Sequence, residues 1–144
     1  MSAKDIYHNH VRQALIKDGW TITADPLSLP WGATTVQVDL GAERLIAAEK
    51  DARKIAVEIK SFLSRSRVED LEDALGQIVL YRYLLGRTQP ERALYLAVRQ
   101  DVYLSYLGQP HVLELLKVEN VQLLVFNQHT EEVEQWISWN NTET

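Results

Sequence analysis

The sequence predicts an α/β fold in the broad sense (α+β), a mixed sheet with flanking helices. Three observations carry that prediction. An amphipathic helical stripe opens the chain, a set of short strand-like segments follows it, and a long capped helix then leads into a nearly continuous apolar strand. A strand–helix–strand step between parallel neighbours requires a crossover, whereas the earlier strands can be joined by hairpins. The order read from the chain is α-β-β-β-α-β with smaller additions.

The first helix is expected from about Lys4 to Asp18, with Tyr7, Val11, Ala14 and Leu15 as its apolar stripe and Gly19 as its stop. Trp20 to Thr23 reads as a short strand closed by the turn pair Asp25-Pro26, and Pro30, Trp31 and Gly32 mark a loop. From Thr35 the period becomes two: Val36, Val38 and Leu40 alternate with Gln37 and Asp39 in a half-buried strand, after which Gly41 allows a bend. A second strand is expected over Arg44–Glu49, a polar turn over Lys50–Arg53, and a third strand over Lys54–Phe62. On that third strand Ile55, Val57 and Ile59 face one way, Ala56, Glu58 and Lys60 the other.

Ser66-Arg67-Val68-Glu69 matches a capping box and starts a helix expected to run to Leu85, ended by Gly86. Leu71, Ala74, Leu75, Ile78 and Leu85 form its stripe, with Arg82 inside it, snorkelling or lining a partner interface. Arg92 to Val98 is apolar enough in its middle to be buried on both faces. Two short helices follow Asp101 and Pro110, then strands at Val121–Phe126 and Val133–Ile137. Asn140 to Thr144 reads as a frayed tail.

A chain of 144 residues is expected to form one domain, 1–144, and can bury a core without metal or disulfide. The absence of cysteine excludes thiolate zinc sites and cysteine nucleophiles. Met1 to His10 is polar, with no apolar stretch of a secretory signal, and no run approaches the roughly 18 apolar residues of a membrane span. The expected location is cytoplasmic, with no membrane association. A net charge of −5 argues against a protein held on nucleic acid by overall charge, and suits a site that gathers carboxylates around a cation.

Glu58-Ile59-Lys60 carries the chemistry. Residues two apart on a strand share a face, so a carboxylate and an ammonium are presented together. Phosphodiester hydrolysis uses such a pair: carboxylates hold Mg²⁺ or Mn²⁺, the ion activates water, and a lysine positions or deprotonates that water. The Ile59 carbonyl is a further candidate ligand. Alone the triplet is unspecific, about one acid-x-Lys match being expected by chance, and the bland account is a solvated ion pair. The apolar, β-branched surroundings favour an inner strand, where both charges need partners.

The preceding hairpin offers Asp39 and Glu43. If Lys50–Arg53 is a four-residue turn, Glu49 pairs with Lys54, Leu45 with Glu58, and Glu43 with Lys60. Asp39 has the same parity but lies about 13 Å further along an unbent strand, within reach only if the chain bends at Gly41. Geometry prefers Glu43 and residue type prefers Asp39, so both stand.

The segments Val38-Asp39-Leu40-Gly41-Ala42-Glu43 and Ile55-Ala56-Val57-Glu58-Ile59-Lys60-Ser61-Phe62 resemble the PD-(D/E)XK nuclease superfamily. More closely the chain is similar to the XisH family, cyanobacterial factors controlling excision of the fdxN element. Lys4-Asp5-Ile6-Tyr7-His8, Gly19-Trp20-Thr21-Ile22-Thr23, Gly76-Gln77 with Tyr81, and Leu94-Tyr95-Leu96-Ala97-Val98 extend the resemblance from Lys4 to about Trp136. It implies a restriction-endonuclease-like αβββαβ core and a catalytic set of Asp39, Glu58 and Lys60, with Glu43 as substitute or helper. Gln77 and Tyr81 resemble the Gln-x-x-x-Tyr pattern of RecB-type nucleases. Val38 stands where a proline often precedes the Asp, and the Asp-to-Glu spacing is long. His8 matches the family, though a surface or capping role is the plainer account. His10 points elsewhere, and His111 and His129 have no companions. Arg65 and Arg67 are the best candidate phosphate contacts.

The expected function is a Mg²⁺- or Mn²⁺-dependent endonuclease-type domain acting on DNA in programmed element excision. The alternative is a catalytically inactive regulator of the same fold, controlling a site-specific recombinase. The resemblance also implies a XisI-like partner protein. A symmetric homodimer is expected, because double-strand cleavage takes two sites and one acidic protomer grips DNA poorly. Val102, Tyr103, Leu104, Tyr106 and Leu107, with Leu113, Leu115 and Leu116, are the candidate interface.

Overall fold

The computed structural model describes residues 5–45 and 52–139, apart from the side chains of Leu45 and Ala52. Helix α1 (His8–Lys17) is followed by strands β1 (Thr21–Ala24), β2 (Leu27–Trp31), β3 (Thr34–Val38), β4 (Leu40–Leu45) and β5 (Ala52–Ile59). Helix α2 (Arg67–Thr88) leads to β6 (Arg92–Arg99). The short α3 (Gln100–Val102), a π-helical turn over Tyr103–Leu107 and α4 (Pro110–Val118) then precede β7 (Gln122–Asn127) and β8 (Glu132–Ile137). Lys4, Ile46 to Asp51 and the expected tail lie outside the described residues.

Six strands form one sheet in the order β1-β4-β5-β6-β7-β8. The β1/β4, β4/β5 and β7/β8 pairs are antiparallel, while β5/β6 and β6/β7 are parallel. The sheet is therefore mixed, and α2 supplies the crossover from β5 to β6. One face packs against α1 through Val11, Ala14, Leu15, Val57, Ile59 and Phe126. The other packs against α2 and the α3–α4 region through Ala74, Ile78, Leu96, Val98, Val102 and Leu116. Burial of β6 from both sides explains why its middle carries no polar residue.

Local chemistry accounts for the helix ends. Gly19 adopts φ +93° just beyond α1, a conformation other residues resist. The Ser66 hydroxyl accepts the Glu69 N–H at 3.1 Å, which starts α2. That helix does not stop at Leu85: Gly86 is exposed within it and the helix continues to Thr88. Pro90 lies two residues beyond, where no helical N–H could be donated.

The strand missing from the sequence reading is β2, which pairs with β3 in a separate two-stranded sheet. Its Leu27 and Leu29 pack with Val38 against Tyr81, Leu84 and Leu85 of α2. The chain thus leaves the main sheet after β1, makes a hairpin, and returns at Leu40. The break falls at Asp39, not at Gly41. Gly41 serves close packing instead: a Cβ there would stand 3.3 Å from both the Ala24 Cβ and Arg92 Nη1.

Most of the apolar segment expected to form an interface belongs to the core. Val102, Leu107 and Leu116 are fully buried, and Tyr103 and Tyr106 pack against them. Leu104, at 70% exposure, is left outside.

Candidate active site

The end of β5 places Glu58 on the α2 side of the sheet, 6% exposed, with Tyr81 of α2 near it. Asp39 reaches the same point from the opposite direction. Leu40 pairs with Val57, so the residue before Leu40 meets the residue after Val57. The Asp39 N–H donates to Glu58 Oε1 at 3.3 Å, and the Ile59 N–H donates to Asp39 Oδ2 at 2.8 Å. Lys60 follows at the strand end. Its N–H donates to the Ala97 carbonyl at 3.1 Å, and its Nζ lies 4.0 Å from Asp73 Oδ2.

Two carboxyls this close and this dry resist ionising together. Burial, then the Asp39 charge, pushes Glu58 up to about 8, and burial also raises Asp39. The Tyr81 phenol is raised as well, by burial and then by the Glu58 and Asp39 charges. These groups line a cleft of about 880 Å³, bounded also by Asp5, His8, Asp25, Gln37, Asp70 and Gln77. Its acids outnumber its one lysine, which favours a cation over an anion.

Glu43 is not brought into this cleft. It pairs with Lys54, six residues before Lys60 and about 20 Å away along the strand. Its carboxylate lies 4.0 Å from Arg92 Nη2 instead. The expected four-residue turn put the register six residues off: Leu45 pairs with Ala52, so Ala52 and Arg53 belong to β5, and Lys50 and Asp51 lie outside the described residues. Because six is even, the side chains kept their expected face while their position along it changed.

Gln77 does line the cleft, and its Oε1 is buried with no hydrogen-bond partner among the described residues. Arg67 is engaged, donating to Ser105 Oγ at 2.7 Å and lying over the Tyr106 ring, whereas Arg65 is exposed. Arg82 donates to the Glu119 carbonyl at 2.7 Å, so it snorkels to the end of α4. His111 and His129 are exposed, and His10 packs edge-on to Tyr7.

The sequence reading missed how deeply His8 is placed. It is 4% exposed, its Nε2 lies 2.7 Å from Asp25 Oδ1, and Arg12 holds the other Asp25 oxygen at 2.6 Å. The signal was present: His8, Val11 and Leu15 continue one helical stripe at spacings of three and seven. Asp25 was legible only as a turn residue.

Among the described residues, no group of three or more His, Asp or Glu side chains converges to hold a metal ion. The side chains that do converge are the two carboxylates of Asp39 and Glu58, an oxygen-only pair beside the Ile59 main chain. Such a set fits Mg²⁺ or Mn²⁺, since Mg²⁺ commonly uses one or two carboxylates and keeps several waters.

A family model described as XisH protein matches residues 1–134. The chain belongs to the XisH family. Among solved structures, an XisH family protein from Nostoc punctiforme PCC 73102 is 39% identical with a TM-score of 0.83, over 93% of this chain and all of that one. An fdxN element excision controlling factor protein from Anabaena variabilis is 37% identical with a TM-score of 0.82, over 94% of this chain and all of that one. No curated protein matches. The XisH family assignment agrees with the resemblance to that family read along the chain from Lys4 to about Trp136. No helix among the described residues is long and apolar enough to cross a membrane.

Proposed function

We propose that this XisH family chain is a cation-dependent, PD-(D/E)XK-type domain that handles and cleaves DNA phosphodiesters during excision of a DNA element. The observation that carries the reading is the interlock of Asp39 and Glu58 beside Lys60 at the end of an inner strand. Asp39, Glu58 and the Ile59 carbonyl would hold Mg²⁺ or Mn²⁺. When bound, the ion supplies an activated water and neutralises phosphoryl charge. Lys60 would orient that water or the phosphate, and Gln77 lines the cleft with an amide oxygen that has no partner among the described residues. Glu43 has no part in this set.

The experiment is turnover of supercoiled and linear DNA with Mg²⁺ or Mn²⁺, alone and with a XisI-like partner protein. Glu58→Ala and Lys60→Ala should each abolish nicking. Absence of nicking in wild type under every condition, with Mn²⁺ bound, would favour the second reading, a regulator of a recombinase. The words "excision controlling factor" in the name of the Anabaena variabilis protein favour that alternative. In either reading the acidic protomer works as a homodimer or with a partner.

A further inference from the structure

Between Lys60 and the start of α2 lies a short loop whose construction exceeds what a connection requires. Phe62 adopts φ +53°, a left-handed conformation that a bulky side chain ordinarily avoids. Strained backbone persists only where its surroundings hold it, and it gathers at functional sites. Here the holding groups are visible. The Phe62 ring is 4% exposed within the core, the Ser61 carbonyl accepts Arg99 Nη2 at 3.2 Å, and the Ser64 N–H donates to Asp70 Oδ2 at 3.3 Å.

The pinned loop exposes Leu63, Ser64 and Arg65. Leu63 is 56% exposed and lines the cleft, as do the apolar Pro26 and Ile59. Arg65 is exposed and has no ion-pair partner among the described residues. Read outward from the carboxyl pair, the segment runs ammonium, apolar, guanidinium. A polynucleotide strand offers the matching alternation of phosphate, base and phosphate. A leucine meets the face of a base at least cost where that base is already unstacked, since wedging into a duplex adds the cost of unstacking it.

We propose that residues 60–65 grip a DNA strand carrying an unpaired nucleotide: Lys60 at the phosphodiester over the carboxyls, Leu63 against the adjoining base, and Arg65 on the next phosphate. This rests on the phosphodiester reading of the cleft and adds the substrate class, unpaired rather than fully duplex DNA. The grip is independent of base identity, because every base has an apolar face.

The test is fluorescence anisotropy in Ca²⁺ with labelled oligo-dT, a labelled mixed-sequence single strand, and a blunt duplex of equal length. Wild type should prefer the strands over the duplex. Leu63→Ser should weaken strand binding by about tenfold, the loss expected when roughly half of a leucine's burial is withdrawn, and Leu63→Met should restore it. Arg65→Ala should weaken both strands alike and reduce the salt slope by roughly 0.7. Equal binding of strand and duplex, or an unaltered affinity in Leu63→Ser, overturns the proposal. A parallel Mn²⁺ titration separates the two failures: if wild type binds Mn²⁺ but no strand, the grip falls and the cation site stands. If wild type binds no Mn²⁺, the phosphodiester reading falls and takes the grip with it.

Discussion

Asp39, just before β4, and Glu58, near the end of β5, are tied by two hydrogen bonds through each other's main-chain surroundings, at 3.3 and 2.8 Å. Each acid is therefore positioned by the backbone that carries the other. The pair keeps its geometry without a counter-charge between its members, and the cost appears as the raised proton affinity of both.

The first consequence concerns which acids bind a cation. Calorimetric titration with Mn²⁺ should give Glu43→Ala an affinity within about twofold of wild type. Asp39→Ala and Glu58→Ala should each lose more than the roughly 10–100-fold that supporting partners of metal ligands cost. Retained affinity in Glu58→Ala would remove the site.

Stability should depend on pH in the direction set by Glu58. Its folded-state pKa of about 8 exceeds its ordinary 4.5, so between those values the folded chain holds a proton that the unfolded chain has lost. Metal-free stability is then highest at the acid end of this window and falls as pH rises through it, by at most about 1.4 kcal/mol per pH unit for one proton. Glu58→Gln should flatten that slope and melt at the same or higher temperature at pH 8. Saturating Mn²⁺ should also flatten it, because the ion-bound pair holds no proton to lose in this window. Thermal denaturation across the window measures all three.

Arg92 and Glu43 should differ sharply on truncation. The Arg92 guanidinium is nearly buried and donates to the Ile55 carbonyl at 2.7 Å, while Glu43 is partly exposed and 4.0 Å away. Arg92→Ala should cost about 3 kcal/mol by leaving buried carbonyls unpaired, and Glu43→Ala less than about 1 kcal/mol. Urea unfolding would check the contrast.

Light scattering should return twice the protomer mass of 16.5 kDa. If the exposed Leu104 lies in that contact, Leu104→Lys shifts the mass toward one protomer. A wild type that stays at one protomer mass across micromolar concentrations defeats the dimer.

Much of the fold was legible because its signals are local. The period-two run at Ile55–Ile59, the Ser66 cap and the apolar middle of β6 each follow from neighbouring residues alone. β2 was hidden because Pro30, Trp31 and Gly32 read as a loop, although Leu27 and Leu29 already alternate with Ser28 and Pro30. Proline is tolerated there because a two-stranded ribbon leaves each strand an open edge. The β4–β5 register was not legible, since pairing depends on how many residues the connection consumes. That one quantity sets which of Glu43 and Asp39 stands beside Glu58. His8 escaped for a different reason: its partner Asp25 is seventeen residues away in sequence, and only the folded chain brings them together.

Asp39 is also the seam between two separate sheets, the last residue before the chain rejoins the larger one. Glu58 belongs wholly to the larger sheet. An ion held by both carboxylates would act as a rivet across that seam, fastening the β2–β3 hairpin to the body of the molecule. Amide exchange in Leu27–Val38 should then slow when Mn²⁺ is added, so that a hairpin remote from the ion along much of its length reports whether the ion is there.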